Sequence, residues 1–153
     1  MSAVPLFAFL HHLAAFTLVG CLIGEVFLLR PPLTVEQARR LLRIDLVFGL
    51  AAAALLVVGM LRVQFFEKGP TYYWHDTFFL IKLGAFLLAA FVSIYPTVSY
   101  LSWRRDLRAG RPPEIPAPRL RRLRMCLMWE LTAILVILAC AAWMARGFGY
   151  FGD

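Results

Sequence analysis

Residues Leu6 to Leu29 form an apolar run long enough to cross a bilayer, which takes about 20 such residues. The run carries His11, His12 and Glu25. Such groups are costly in lipid, so an ionisable residue inside a span is a functional-site candidate by default. Either these side chains bind something, or they hold helices together.

Three further apolar runs follow, and together the four consume nearly all of the 153 residues. The chain is 61% hydrophobic, with a mean hydropathy of +0.74, too apolar for a water-soluble domain of this length. The expected architecture is all-α: one polytopic membrane domain over residues 1–153, with four transmembrane helices in an antiparallel bundle. The first run has no basic segment before it and is too long for a signal sequence, so it reads as a retained helix. The net charge of +7 lies mainly in two loops, where topology and anionic lipid account for it better than nucleic acid does. Cys21, Cys126 and Cys140 all fall in apolar runs, at spacings that suggest neither zinc nor a disulfide framework.

Helix one is expected from about Val4 to Leu29, ending at Arg30-Pro31-Pro32. Thr34 and Gln37 match a capping box, so helix two starts there and reaches about Arg62. Gly69-Pro70 marks a turn, and Tyr72-Tyr73-Trp74 reads as an interfacial aromatic belt. Helix three is expected from about His75 to Trp103, kinked at Pro96. A loop rich in proline and arginine leads to helix four, from Pro118 or Arg119 to about Arg146. The loops after helices one and three hold most of the arginines, which puts them in the cytoplasm and both termini outside it. The implied location is a bacterial inner membrane.

A helical wheel at 100° per residue sorts helix one. His11 shares a small, polar arc with Ala14, Ala15, Thr17, Leu18, Gly20, Cys21, Leu22, Gly24 and Glu25, which should face the bundle. His12, Phe16, Val19, Ile23 and Val26 fall opposite, with His12 toward the edge or the headgroups. Gly20 and Gly24 offer a close-packing face. The corresponding stripes are Asp45, Gly49, Ala52, Leu56, Gly59 and Val63 on helix two, and His75, Lys82, Ala89, Ser93 and Tyr100 on helix three. On helix four the stripe is Glu130, Ala133, Ile137, Cys140, Ala141 and Met144.

The stripes form two layers, since fourteen residues separate His11 from Glu25, about 21 Å along a helix. The outer layer holds His11, Arg62, His75, Lys82 and Met144; the inner holds Glu25, Asp45, Glu130 and Tyr100. A histidine facing a four-helix core, with a second imidazole or soft ligand, suits a b-type haem. His11 is the first candidate ligand for cofactor and metal, His75 and Met144 are candidates for the other side, and Arg62 and Lys82 could balance propionates. The plainer reading has Lys82 snorkelling and Met144 filling space. The simplest account of the inner acids is pairing with Arg30, Arg43 and Arg124 at the membrane boundary; the other is a proton path. Few serines are present, and none has a histidine and carboxylate in a nucleophile's setting.

The run Leu10 to Phe16 with Glu25 resembles a family of bacterial four-helix membrane proteins classed as a domain of unknown function. So do Arg39-Arg40-Leu41 with Asp45, Gly59-Met60-Leu61-Arg62-Val63, Lys68-Gly69, Lys82 and Ser93-Ile94-Tyr95-Pro96-Thr97. More distantly, the histidine of helix one and the lysine of helix three are similar to those of HemJ-type protoporphyrinogen oxidases and CopD-like membrane proteins. That resemblance implies a haem-b-associated bundle and carries over to His11 and Lys82. The HemJ-type tryptophan and Arg-Leu-Phe run closing helix one is missing here. Two functions follow as expectations: a haem-b-binding electron-transfer or oxidoreductase module, or a non-catalytic accessory subunit of a larger respiratory or photosynthetic complex. Both imply a lipid bilayer, and a homo-oligomer or larger membrane assembly, as partners.

The orientation is open to direct test. A cysteine introduced by Gly110→Cys should react with an impermeant maleimide only after the membrane is opened, and one introduced by Phe151→Cys should react in intact cells. A tail labelled only from the cytoplasmic side contradicts the arginine argument.

Overall fold

The computed structural model describes residues 3–152. Helix α1 spans Val4–Leu28, α2 Val35–Leu61, α3 Pro70–Trp74, α4 Thr77–Ser102, α5 Arg104–Arg108 and α6 Ala117–Ala145. One turn of π-helix, Arg62–Phe66, continues α2. No strand occurs among the described residues. The helices α1, α2, α4 and α6 are each long and apolar enough to cross a membrane. They form two closely packed hairpins, α1 with α2 and α4 with α6, joined side by side into a four-helix bundle.

Local chemistry sets the boundaries. The capping box forms as expected: Gln37 N donates to Thr34 Oγ1 at 3.2 Å, and Thr34 N donates to the Gln37 side chain at 2.9 Å. At the third span the structure departs from expectation. The segment before it is the separate short helix α3, and His75 follows it as a C-cap. Asp76 then caps α4, its Oδ1 accepting from Phe79 N at 3.0 Å, and is fully buried. The C-terminal tail folds back over this junction. Thr77 N donates to Gly149 O, Phe151 N donates to His75 O, and the Tyr72 and Tyr150 rings stack at 4.7 Å. Gly149 has φ +98°, and a Cβ there would overlap the Phe78 ring, so only glycine suits the position.

The core is concentrated at the end that carries the arginine-rich loops. Leu29, Leu33, Leu41, Trp103, Leu107, Leu123 and Leu127 are buried together there. Arg119 reaches inward to hold the α4 terminus, donating to Ser102 Oγ at 2.7 Å, and Arg39 donates to Leu107 O at 3.1 Å. The flanks of the bundle expose Phe16, Leu46, Leu50, Phe91, Leu135 and other apolar side chains, as a lipid-facing surface requires.

The phasing of α1 holds in part: Leu18, Leu22 and Glu25 are buried, His11 is half-buried, and Phe16 and Ile23 are exposed, but Gly20 of the inward arc is exposed and Val26 of the outward arc packs against the core. The Gly20/Gly24 face is divided. A Cβ on Gly24 would lie 3.5 Å from Ile44 Cδ1, whereas one on Gly20 would meet nothing within 4 Å. On α2, Phe48 takes the inward place assigned to Gly49, and Gly49 faces out. An aromatic ring filling space between helices outweighed the small-residue rule at that position.

Both caps predict measurable effects. Thr34→Ala and Asp76→Ala should each lower the unfolding free energy in micelles by about 1 kcal/mol. Asp76→Ala should also free the tail, seen as faster protease cleavage after Trp143. A tail equally resistant in both variants contradicts the docking described.

Candidate functional site

The four spanning helices do not close completely at the end opposite the arginine-rich loops. A cavity of about 320 Å³ opens there between them. That is near the lower end of the range of small-molecule sites, about 300–1,000 Å³. Its wall is largely apolar, with Leu55, Leu56, Phe79, Leu83, Phe86 and Ile137. Its polar groups are His11 from α1, Arg62 and Glu67 from the π-turn and the residue after it, Tyr73 from α3 and Lys82 from α4, and α6 adds the soft thioether of Met144. An apolar pocket with a few convergent polar groups is the usual form of a ligand site.

His11 packs directly against α2. A Cβ on Gly59 would lie 3.2 Å from His11 Cε1, so the missing side chain of Gly59 makes room for the imidazole. His11 Nδ1 is buried and has no hydrogen-bond partner among the described residues. His12 is exposed at the cavity's rim, its Nδ1 2.7 Å from Ala8 O. Arg62 is tethered by an ion pair with Glu67. The two are five apart in sequence, the spacing that one π-turn brings together. Lys82 is half-buried and makes no ion pair among the described residues; its nearest aromatic contact is the Phe79 ring, 5.8 Å from Nζ. Tyr73 is half-buried, and burial pushes its phenol above the ordinary value, with the Glu67 charge adding to the effect.

Thus His11, Arg62, Lys82 and Met144 meet at one cavity, and His75 does not join them. His75 is exposed, with Nδ1 2.7 Å from Thr71 O and its ring against Phe151. Its place in the third-helix stripe assumes unbroken helix, but it precedes the Asp76 cap of α4, so the helical spacing does not apply to it. Sequence reasoning passed over Glu67, Tyr73 and the two phenylalanines. Glu67 lacked a signal because an i, i+5 pair is off register in an α-helix.

The acidic layer also forms, nearer the other end. Glu25, Asp45 and Glu130 are buried, with Glu25 1% and Glu130 2% exposed. Tyr100 donates to Glu25 Oε2 at 3.3 Å, and Thr97 donates to Asp45 Oδ1 at 2.8 Å. The expected pairing with Arg30, Arg43 and Arg124 is absent among the described residues. Arg43 pairs with Glu36 instead, Arg30 lies over the Phe27 ring, and Arg124 is exposed. The guanidinium groups stay at the wet boundary, where they keep their hydration, and the acids lie deeper.

The cavity makes a prediction about Lys82. An unpaired cation against an apolar wall costs stability, so Lys82→Met should raise the unfolding free energy by about 1 kcal/mol. A fall of that size on unfolding in micelles would show that Lys82 has a structural partner.

No curated protein and no solved structure matches the chain, so these comparisons show no kinship with HemJ-type or CopD-like proteins. The family described as "Predicted membrane protein (DUF2214)" matches residues 4–149. That span takes in all four long helices, the cavity and the acidic layer, and the chain belongs to this family of membrane proteins.

Proposed function

We propose that this protein is a haem-b-binding electron-transfer module of the bacterial inner membrane, with both termini outside the cytoplasm. The observation that carries the reading is the convergence of His11, Arg62, Lys82 and Met144 on one cavity. The donor set suits the group: an imidazole, a thioether and two cations among apolar walls. His11 would hold the iron, with Met144 as the second candidate ligand. Arg62 and Lys82 would balance the propionates, Glu67 keeping Arg62 in place. Phe79 and Phe86 would keep water from the ring. Bound haem supplies one-electron chemistry, and the protein supplies position and charge.

The test is a visible spectrum of protein from haem-sufficient cells, oxidised and then reduced. Wild type should show a Soret band that shifts on reduction. His11→Ala should lose it, and His12→Ala and His75→Ala should keep it. Folded wild-type protein without the band overturns the reading. Loss in His75→Ala would contradict the placement of that residue.

A second reading is that of an accessory subunit or homo-oligomer, favoured by Gly20 and Gly49. Both are exposed with open space around them, and exposed glycine lets another helix approach closely in lipid. Crosslinking in native membranes should give dimers or larger species that Gly20→Ile weakens. A purely monomeric band contradicts association.

A further inference from the structure

The acidic layer is a second site, distinct from the cavity and independent of the haem reading. Three carboxyl groups from three helices lie buried inside the bundle, two of them bonded to Thr97 and Tyr100, one turn apart on α4. Glu25 Oε1 and Glu130 Oε1 are buried and have no hydrogen-bond partner among the described residues. The surrounding groups can be named helix by helix. On α1 Cys21 lies beside Glu25, and on α6 Cys126 lies beside Glu130. Helix α4 presents Thr97, Ser99 and Tyr100, and Trp103 packs against Tyr100. Helix α2 contributes Asp45 itself. None of these is a cation. The nearest loop arginines are turned to Glu36, to backbone carbonyls or to the exterior. Leu29, Leu33, Leu107 and Leu123 close the bundle on that side.

A buried carboxylate with no cation and an unfilled oxygen is costly, and such a group takes a proton instead. Three like charges together add repulsion to that cost. A metal ion would be the other remedy, but the described residues contain no group of three or more such side chains arranged to hold one. We infer that Glu25, Asp45 and Glu130 form a proton-binding site in the membrane interior. Tyr100 and Thr97 hold one oxygen each of Glu25 and Asp45, leaving Glu25 Oε1 and the Glu130 carboxyl to carry the protons. Such a site can take up or release protons when charge moves elsewhere in the bundle.

The experiment is infrared difference spectroscopy of the full chain in micelles of dodecyl maltoside, a detergent without a carbonyl group. Wild type at neutral pH should show the carbonyl stretch of a protonated carboxylic acid in an apolar setting. Glu25→Gln and Glu130→Gln should each remove part of it, and the double variant most of it. Absence of the band from wild type, or a band unchanged in the double variant, overturns the inference. Should the double variant fail to fold, wild type still decides. Dicyclohexylcarbodiimide, an apolar reagent that attacks protonated carboxyl groups, should modify Glu25 or Glu130 at neutral pH and neither at strongly alkaline pH. Labelling of neither at neutral pH also overturns it.

Discussion

In a hydrocarbon solvent a polar group is satisfied by its own chain or not at all, and this constraint explains most of the molecule. Backbone groups are satisfied within four long helices, and their ends by Thr34, Asp76 and the returning tail. Arginines gather where water reaches them. What remains is a small set of polar side chains that neither remedy covers. They lie in two layers of one bundle, a cationic one around an open cavity and an acidic one enclosed by the core.

The two layers differ because packing is uneven along the bundle. At the arginine-rich end the loops fold inward, and Trp103, Leu107 and Leu33 add a floor beneath the helices. At the other end a π-turn and a short helix replace regular α-helix, and the bundle opens. π-turns within helices are often found at functional sites. Here the turn sets Arg62 and Glu67 side by side on the cavity wall. The looser end is thus the one able to admit a ligand, and the tighter end the one that isolates charge.

Much of this was legible in the sequence. Four spans, the Thr34 cap and the facing of His11 and Glu25 follow from run length, a four-residue motif and one angle per residue. These are local properties of regular helix. Two of the differences, at His75 and Glu67, lie where the helix is not regular, and the others concern packing between helices. His75 was phased across a helix boundary, and Glu67 was hidden by a change of helical period. Gly49 was placed inward because small residues favour close packing, but Phe48 filled that space. The acids were assigned arginine partners because unlike charges lay at similar depth. Sequence could not show that those arginines remain outside the apolar floor.

If His11, Arg62 and Lys82 hold a haem in the cavity, as proposed, the protein should leave the membrane with it bound. Native mass spectrometry of the protein, released from its own membranes in mild detergent, tests this directly. The predicted result is a chain carrying one bound molecule of the mass of haem b, with occupancy reduced at least tenfold in His11→Ala and lowered in Arg62→Ala and Lys82→Ala. A chain that flies bare, or one whose bound mass persists unchanged in all three variants, would contradict it.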